Sequence, residues 1–126
     1  DLSIYFARQL MPLSQEPEFL LIEDNLSVLD RFNDEKSWVE LYLTRRIPAS
    51  SKRRITCLRG LVKGVHSDWA YRTLEAAVDG IIDFKVDEVK GARRSFIGIR
   101  NMRNVAFDSR WHSLRIGQNF EVMLDK

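Results

Sequence analysis

The sequence predicts an α/β fold in which parallel strands flanked by helices are finished by an antiparallel hairpin edge. Three observations predict it. Phe19-Leu20-Leu21-Ile22 is an unbroken apolar run closing on Glu23-Asp24, the pattern of a central parallel strand buried on both faces. Helix-period stretches stand on either side of a second apolar, β-branched run at 55–62, and strands alternating with helices imply right-handed parallel crossovers. From Asp79 to Lys126, four runs alternate apolar and polar residues at period two. Half-buried antiparallel strands need that alternation, because successive side chains face opposite ways.

Taken in order, residues 2–15 carry Phe6, Leu10 and Leu13 at helical spacing, widened by Ala7 and Met11. Pro12 stops that helix near Met11, since an interior proline removes a backbone donor. After Pro17 comes the first strand. A polar stretch from Asp30 to Ser37 leads to a second helix with Trp38, Leu41 and Tyr42 on one side and Ser37 as its expected N-cap. Thr44 to Arg54 reads as a loop rich in basic residues. The second inner strand follows over 55–62, with Gly60 and Gly64 near its end. Ser67 or Asp68 is expected to cap a third helix carrying Ala70, Leu74, Ala77 and Val78, with Gly80 at its C-terminus.

The four final strands have their apolar faces at Ile82, Phe84 and Val86, then Ile97 and Ile99, then His112, Leu114 and Ile116, then Phe120, Val122 and Leu124. Gly91 and Gly117-Gln118-Asn119 supply hairpin chemistry between them.

At 126 residues the chain has one core's worth of sequence, so residues 1–126 are expected to form a single domain. A hydrophobic content of 44% and a charged content of 30% are those of a soluble globular protein. No apolar run approaches the ~18–20 residues of a membrane span, and no signal peptide is recognisable. Cys57 has no cysteine to pair with, and one cysteine with two histidines offers no credible zinc set. A reducing, cytoplasmic setting is expected. The opening residue is Asp rather than Met, which suggests a piece of a longer protein. Charge is unevenly spread: residues 1–51 hold five Lys/Arg against nine Asp/Glu, while 52–126 hold fifteen against nine. The basic second half allows a nucleic-acid partner without demanding one.

An apolar strand ending in Glu23-Asp24 has the shape of a Walker B strand, which delivers a carboxylate to the sheet's carboxyl end to hold Mg²⁺. The order of further segments carries more weight. PEFLLIEDNLSVL, ITCLRGLV, TLEAAVDGIIDFK and RRSFIGIRNMRN follow one another in a way that resembles the KaiC-like branch of the RecA-type ATPases. Ile22 to Leu29 matches that family's hhhIDSLSxL, and Ala77-Val78-Asp79-Gly80-Ile81-Ile82 its A-D-G-hh-L. Gly91-Ala92-Arg93-Arg94 matches the G-x-x-R turn. Asn101-Met102-Arg103-Asn104 stands at the K-M-R-G strand end, and Gly117 before Phe120-Glu121-Val122 at the closing hairpin.

The resemblance implies the carboxyl-terminal half of a RecA-like domain. In function it implies part of an ATPase module, of the kind used in signal transduction, that couples nucleotide binding to oligomer assembly. Asp24 takes the role of the Mg²⁺-side carboxylate, with Glu23 beside it as a second metal candidate. Arg103 is the intersubunit arginine, and Arg100 on the same edge is a further nucleotide-side candidate. The departures matter as much. The phosphate loop G-x-x-x-x-G-K-[ST] occurs nowhere in the chain, and Asn101 and Asn104 replace the lysine and glycine of K-M-R-G. No catalytic residue is assigned, and the isolated chain is expected to lack ATPase activity, because backbone N–H groups and a lysine hold the β- and γ-phosphates. ATP and Mg²⁺ are expected only with an upstream half or a partner chain. The expected partner is a second copy or another RecA-like chain, with no membrane partner.

Two alternatives stand beside this reading. One is an inactive RecA-like interaction module. The other is a nucleic-acid-binding α/β domain using the basic stretch at 45–54. His66-Ser67-Asp68 forms no catalytic set, because adjacent residues do not converge as a triad does. Cys57 and the three tryptophans, Trp38, Trp69 and Trp111, read as packing or interface residues.

Overall fold

A computed structural model describes residues 19–119 and 121–124. The helix expected near the start of the chain, and Phe120, lie outside the described residues. The chain divides into two compact units, Asp1–Ala77 and Val78–Lys126.

In the first unit, β1 (Leu20–Glu23) pairs in parallel with β2 (Thr56–Arg59), from Leu20 opposite Thr56 to Glu23 opposite Arg59. The parallel pairing agrees with the sequence reading. Burial on both faces does not: Leu21 is 8% exposed, but Leu20 is 51% and Ile22 63% exposed. Among the described residues, only one face of this two-stranded sheet meets the helices of its unit.

The core lies among those helices. A 3-10 turn over Leu26–Arg31 leads to α1 (Glu35–Leu41), a π-helical turn (Tyr42–Arg46) and α2 (Ile47–Lys52). After β2 comes α3 (Asp68–Ala77). Leu26, Leu29, Trp38, Val39, Tyr42, Ala70 and Leu74 close the core between them.

The stretch 44–54, read as a loop, is therefore helical through Lys52. Pro48 is tolerated because it sits in the first turn of α2, where its missing N–H costs little. The N-cap of α1 is Asp34 rather than Ser37. Its carboxylate accepts the Ser37 backbone N–H at 3.0 Å and the Ser37 hydroxyl at 2.6 Å. Ser67 caps α3 as expected, accepting the Ala70 N–H at 3.2 Å.

The second unit is a four-stranded antiparallel sheet ordered β3 (Gly80–Val89), β4 (Ala92–Met102), β5 (His112–Ile116), β6 (Val122–Leu124). Lys90 and Gly91 turn the first hairpin with φ of 51° and 75°, the positive pair of a type I′ turn. Gly80 opens β3 instead of ending a helix. A Cβ there would come within 2.3 Å of Met102 Sδ, so the flexible Met102 side chain lies directly over Gly80.

A register shift at Ile81/Ile82 precedes an unexpected choice of face. Ile82, Phe84 and Val86 are 44%, 60% and 62% exposed, whereas Asp83 is 9% exposed. The cause is Trp111. Its ring lies over Gly98, which is opposite Asp83, and under the Lys85 ammonium at 4.6 Å. The face bearing Asp83, Lys85 and Gly98 is thus the one this unit covers itself.

Candidate functional site

The carboxyl ends of β1 and β2 gather the charged side chains of the first unit. Glu23 ends β1 and Asp24 follows it directly, but the two carboxylates have different surroundings. Glu23 turns to the helices. Its Oε1 accepts the Tyr42 hydroxyl at 2.9 Å and its Oε2 accepts Arg59 Nε at 2.7 Å. Arg59 extends the network to Ser50 Oγ at 3.0 Å, and its guanidinium stands 5.7 Å from the Tyr42 ring centre. Burial, then the neighbouring Glu23 carboxylate, pushes the Tyr42 hydroxyl well above the usual phenol range. Burial likewise pushes the Arg46 guanidinium down, against the pull of Tyr42 and Glu23. Cys57 belongs to the same corner, donating to Ser50 Oγ at 3.2 Å.

Asp24, by contrast, is exposed. Gly60 continues the parallel ladder beyond β2, donating to Glu23 O at 2.9 Å and accepting the Leu26 N–H at 2.8 Å. A Cβ at Gly60 would come 3.2 Å from Asp24 Oδ1 and 3.2 Å from Asn25 Cβ. Glycine therefore lets Asp24 and Asn25 approach the Gly60 backbone this closely. A single exposed carboxylate fits the sparse protein ligation of Mg²⁺, which keeps most of its waters. Glu23 does not fit as a second metal ligand, because Tyr42 and Arg59 occupy both its oxygens.

Arg100 and Arg103 belong to the second unit. Arg100 forks onto Asp83, with Nε at 2.8 Å from Oδ2 and Nη2 at 3.3 Å from Oδ1. The backbone N–H of Arg103 donates to Asp79 O at 2.8 Å, closing the open end of the β3–β4 hairpin.

A second cluster in the first unit escaped the sequence reading. The 3-10 turn supplies Ser27 and Asp30, the first turn of α1 supplies Glu35, and the loop after β2 supplies His66. His66 Nε2 is 2.7 Å from Ser27 Oγ, and Nδ1 is 2.9 Å from Asp30 Oδ2 and 3.3 Å from Glu35 Oε2. The partners of His66 are therefore not its sequence neighbours Ser67 and Asp68. No local spacing signals the set, since the donors come from three separate segments. The run Ser27–His66–Asp30 has the lengths of a hydrolase triad, but Nδ1 makes no hydrogen bond of acceptable angle to the carboxylate that would orient the ring.

No helix among the described residues is long and apolar enough to cross a membrane. No protein-family model and no curated protein matches the sequence. Solved structures do. The KaiC-like protein PH0186 from the hyperthermophilic archaeon Pyrococcus horikoshii OT3 superposes with a TM-score of 0.67 at 18% identity, over 85% of this chain and 46% of that one. The chain thus spans less than half the length of that protein, and over that span its fold is similar to that of the KaiC-like protein.

Proposed function

We propose that this chain is the carboxyl-terminal part of a KaiC-like ATPase module in which nucleotide binding drives assembly. The observation that carries the reading is Asp24: an exposed carboxylate directly after the carboxyl end of a parallel strand, close beside the Gly60 backbone. Ligands of open α/β sheets bind at that edge. In the proposed module Asp24 takes the Mg²⁺ side of the nucleotide. A phosphate loop supplied by an upstream half or by a partner chain holds the phosphates, which this sequence has no G-x-x-x-x-G-K-[ST] loop to do. Arg103 serves as the arginine that reaches across to a neighbouring subunit, where its planar fork suits a phosphate or a carboxylate. Arg100 joins it only by giving up its ion pair with Asp83. The partner is a second copy or another RecA-like chain, met in the cytoplasm.

The experiment is Mg²⁺-dependent ATP binding and turnover, by the chain alone and with a segment that carries the phosphate loop. The chain alone should show neither. The completed module should bind Mg-ATP, and Asp24→Asn should remove the Mg²⁺ dependence without unfolding the chain. Turnover by the chain alone that depends on Asp24, or a completed module indifferent to Asp24, defeats the reading. A second reading, an interaction module that has lost the chemistry, is favoured by the exposed apolar residues Leu20, Ile22 and Leu58. Nucleotide-independent association would select it.

A further inference from the structure

Among the described residues, His66 Nδ1 is left without a hydrogen-bond partner. Its side chain is fully buried, at 0% exposure. Trp38 and Tyr71 hold it edge to face, with ring centres 5.4 Å and 5.7 Å away. Nε2 meets Ser27 Oγ, which also accepts the Val62 N–H at 2.9 Å. With the ring proton on Nε2, the two lone pairs of that hydroxyl oxygen are both used, and Nδ1 presents its own lone pair inward. Nδ1 has no hydrogen-bond partner among the described residues, although Asp30 Oδ2 and Glu35 Oε2 stand 2.9 Å and 3.3 Å from it. A single N–H directed between two carboxylates satisfies neither. A cation satisfies all three groups at once.

We propose that His66, Asp30 and Glu35 form a binding site for a borderline first-row divalent cation of the Zn²⁺ kind. One imidazole nitrogen with two carboxylate oxygens suits such an ion, whereas Mg²⁺ favours oxygen donors and retained waters. The distances agree. An ion about 2.1 Å from each donor sets adjacent donors about 3.0 Å apart at right angles and about 3.4 Å apart at a tetrahedral angle. The observed 2.9 Å and 3.3 Å fall at those values. All three donor atoms lie within 4.8 Å of one another, so a small rotation of a carboxylate closes the set.

The outer partners that orient metal ligands are present as well. Trp38 Nε1 donates to Asp30 Oδ1 at 2.5 Å. The Ser67 hydroxyl donates to Glu35 Oε1, and the Ser67 backbone N–H to Glu35 Oε2 at 3.0 Å. Asp30 and Glu35 are 35% and 27% exposed at the side chain, which leaves an entry path and room for a water as fourth ligand. The bound ion ties the 3-10 turn, the start of α1 and the loop after β2 together. This site is distinct from Asp24 and does not rest on the nucleotide reading.

The test uses the full chain, freed of metal, in a Cys57→Ser, His112→Gln background that removes the other soft donors. Co²⁺ is the spectroscopic probe and Zn²⁺ the competitor. The expected result is one Co²⁺ per chain with visible ligand-field absorption, displaced by Zn²⁺ and not by equal Mg²⁺, and a melting temperature that rises with Zn²⁺. Asp30→Asn should weaken binding by at least the ~10–100-fold that loss of an outer partner costs, and His66→Gln should abolish it. Should His66→Gln fail to fold, the double variant Asp30→Asn/Glu35→Gln, altered only at part-exposed side chains, decides instead. No saturable Co²⁺ or Zn²⁺ binding overturns the site, as does binding that survives these substitutions unchanged.

Discussion

Leu21 and Ile22 are neighbours on one strand, and the structure assigns them very different energies. Leu21 is 8% exposed and Ile22 63% exposed. Replacing either by alanine removes three carbons, worth about 0.8 kcal/mol each when fully buried. At Leu21 nearly all of that, about 2 kcal/mol, is lost, and the cavity left behind brings the expected cost to ~2.5–4 kcal/mol. At Ile22 about a third of the transfer energy applies, and water fills the vacated space without a cavity, so the expected cost is ~1 kcal/mol. Urea unfolding of wild type, Leu21→Ala and Ile22→Ala, fitted with a common slope, measures both. A threefold difference in cost supports a sheet covered on one face only. Equal losses from the two variants refute the argument, because they require the second face of β1 to be buried too.

Three further outcomes follow from other corners of the structure. Asp34→Ala should lower helix content and stability while Asp34→Asn restores both, because a side-chain oxygen at the N-cap satisfies the orphan N–H of Ser37; circular dichroism and thermal melts read this. Gly98→Ala should destabilise the chain by ~1–3 kcal/mol, since a Cβ there meets the Trp111 ring at 3.0 Å and overpacking forces a shift, and a neutral melt would show that the part-exposed Trp111 ring gives way without cost. The Arg110 side chain, then its backbone N–H, holds the Asp108 carboxyl below its ordinary 3.8; its contribution to stability is full above that value and is lost as pH falls below it, so an NMR titration of Asp108 should move up toward 3.8 in Arg110→Ala.

What the sequence made legible is what local pattern dictates. The β3–β4 hairpin could be read because its pairing is consecutive and its turn residues, Lys90 and Gly91, carry their geometry in their type. The Ser67 cap and the parallel strands were legible for the same reason. Period two names two faces but does not say which is covered. That depends on Trp111, many residues away, reaching the glycine opposite Asp83. The helix through Pro48 was hidden because proline is a breaker in mid-helix and tolerated in a first turn, and a π turn had to place it there. At the sites, adjacency was a poor guide. Glu23 and Asp24 look like a pair, yet Glu23 is held by Tyr42 and Arg59 while Asp24 is exposed. His66-Ser67-Asp68 forms no catalytic set, and the groups His66 does meet, Ser27, Asp30 and Glu35, come from segments that no local spacing links.

The exposed apolar residues bear on the whole. Leu20 and Ile22 lie two apart on β1, and Leu58 is the registered partner of Ile22, so the three share one face. They are 51%, 63% and 48% exposed. A face of that kind on an edge-bearing, two-stranded sheet is one that water-soluble chains normally cover. In β3, Ile82, Phe84 and Val86 lie at alternate positions and are similarly bare. Polar groups on the same strands are, by contrast, closely partnered: Glu23 by Tyr42 and Arg59, Asp83 by Arg100. Buried polar networks fix one arrangement because a lost partner leaves a desolvated group, whereas an apolar face accepts any complementary apolar surface. The chain therefore fixes these polar side chains with hydrogen bonds and ion pairs, and its apolar faces are the surfaces where a complementary apolar surface would gain the most.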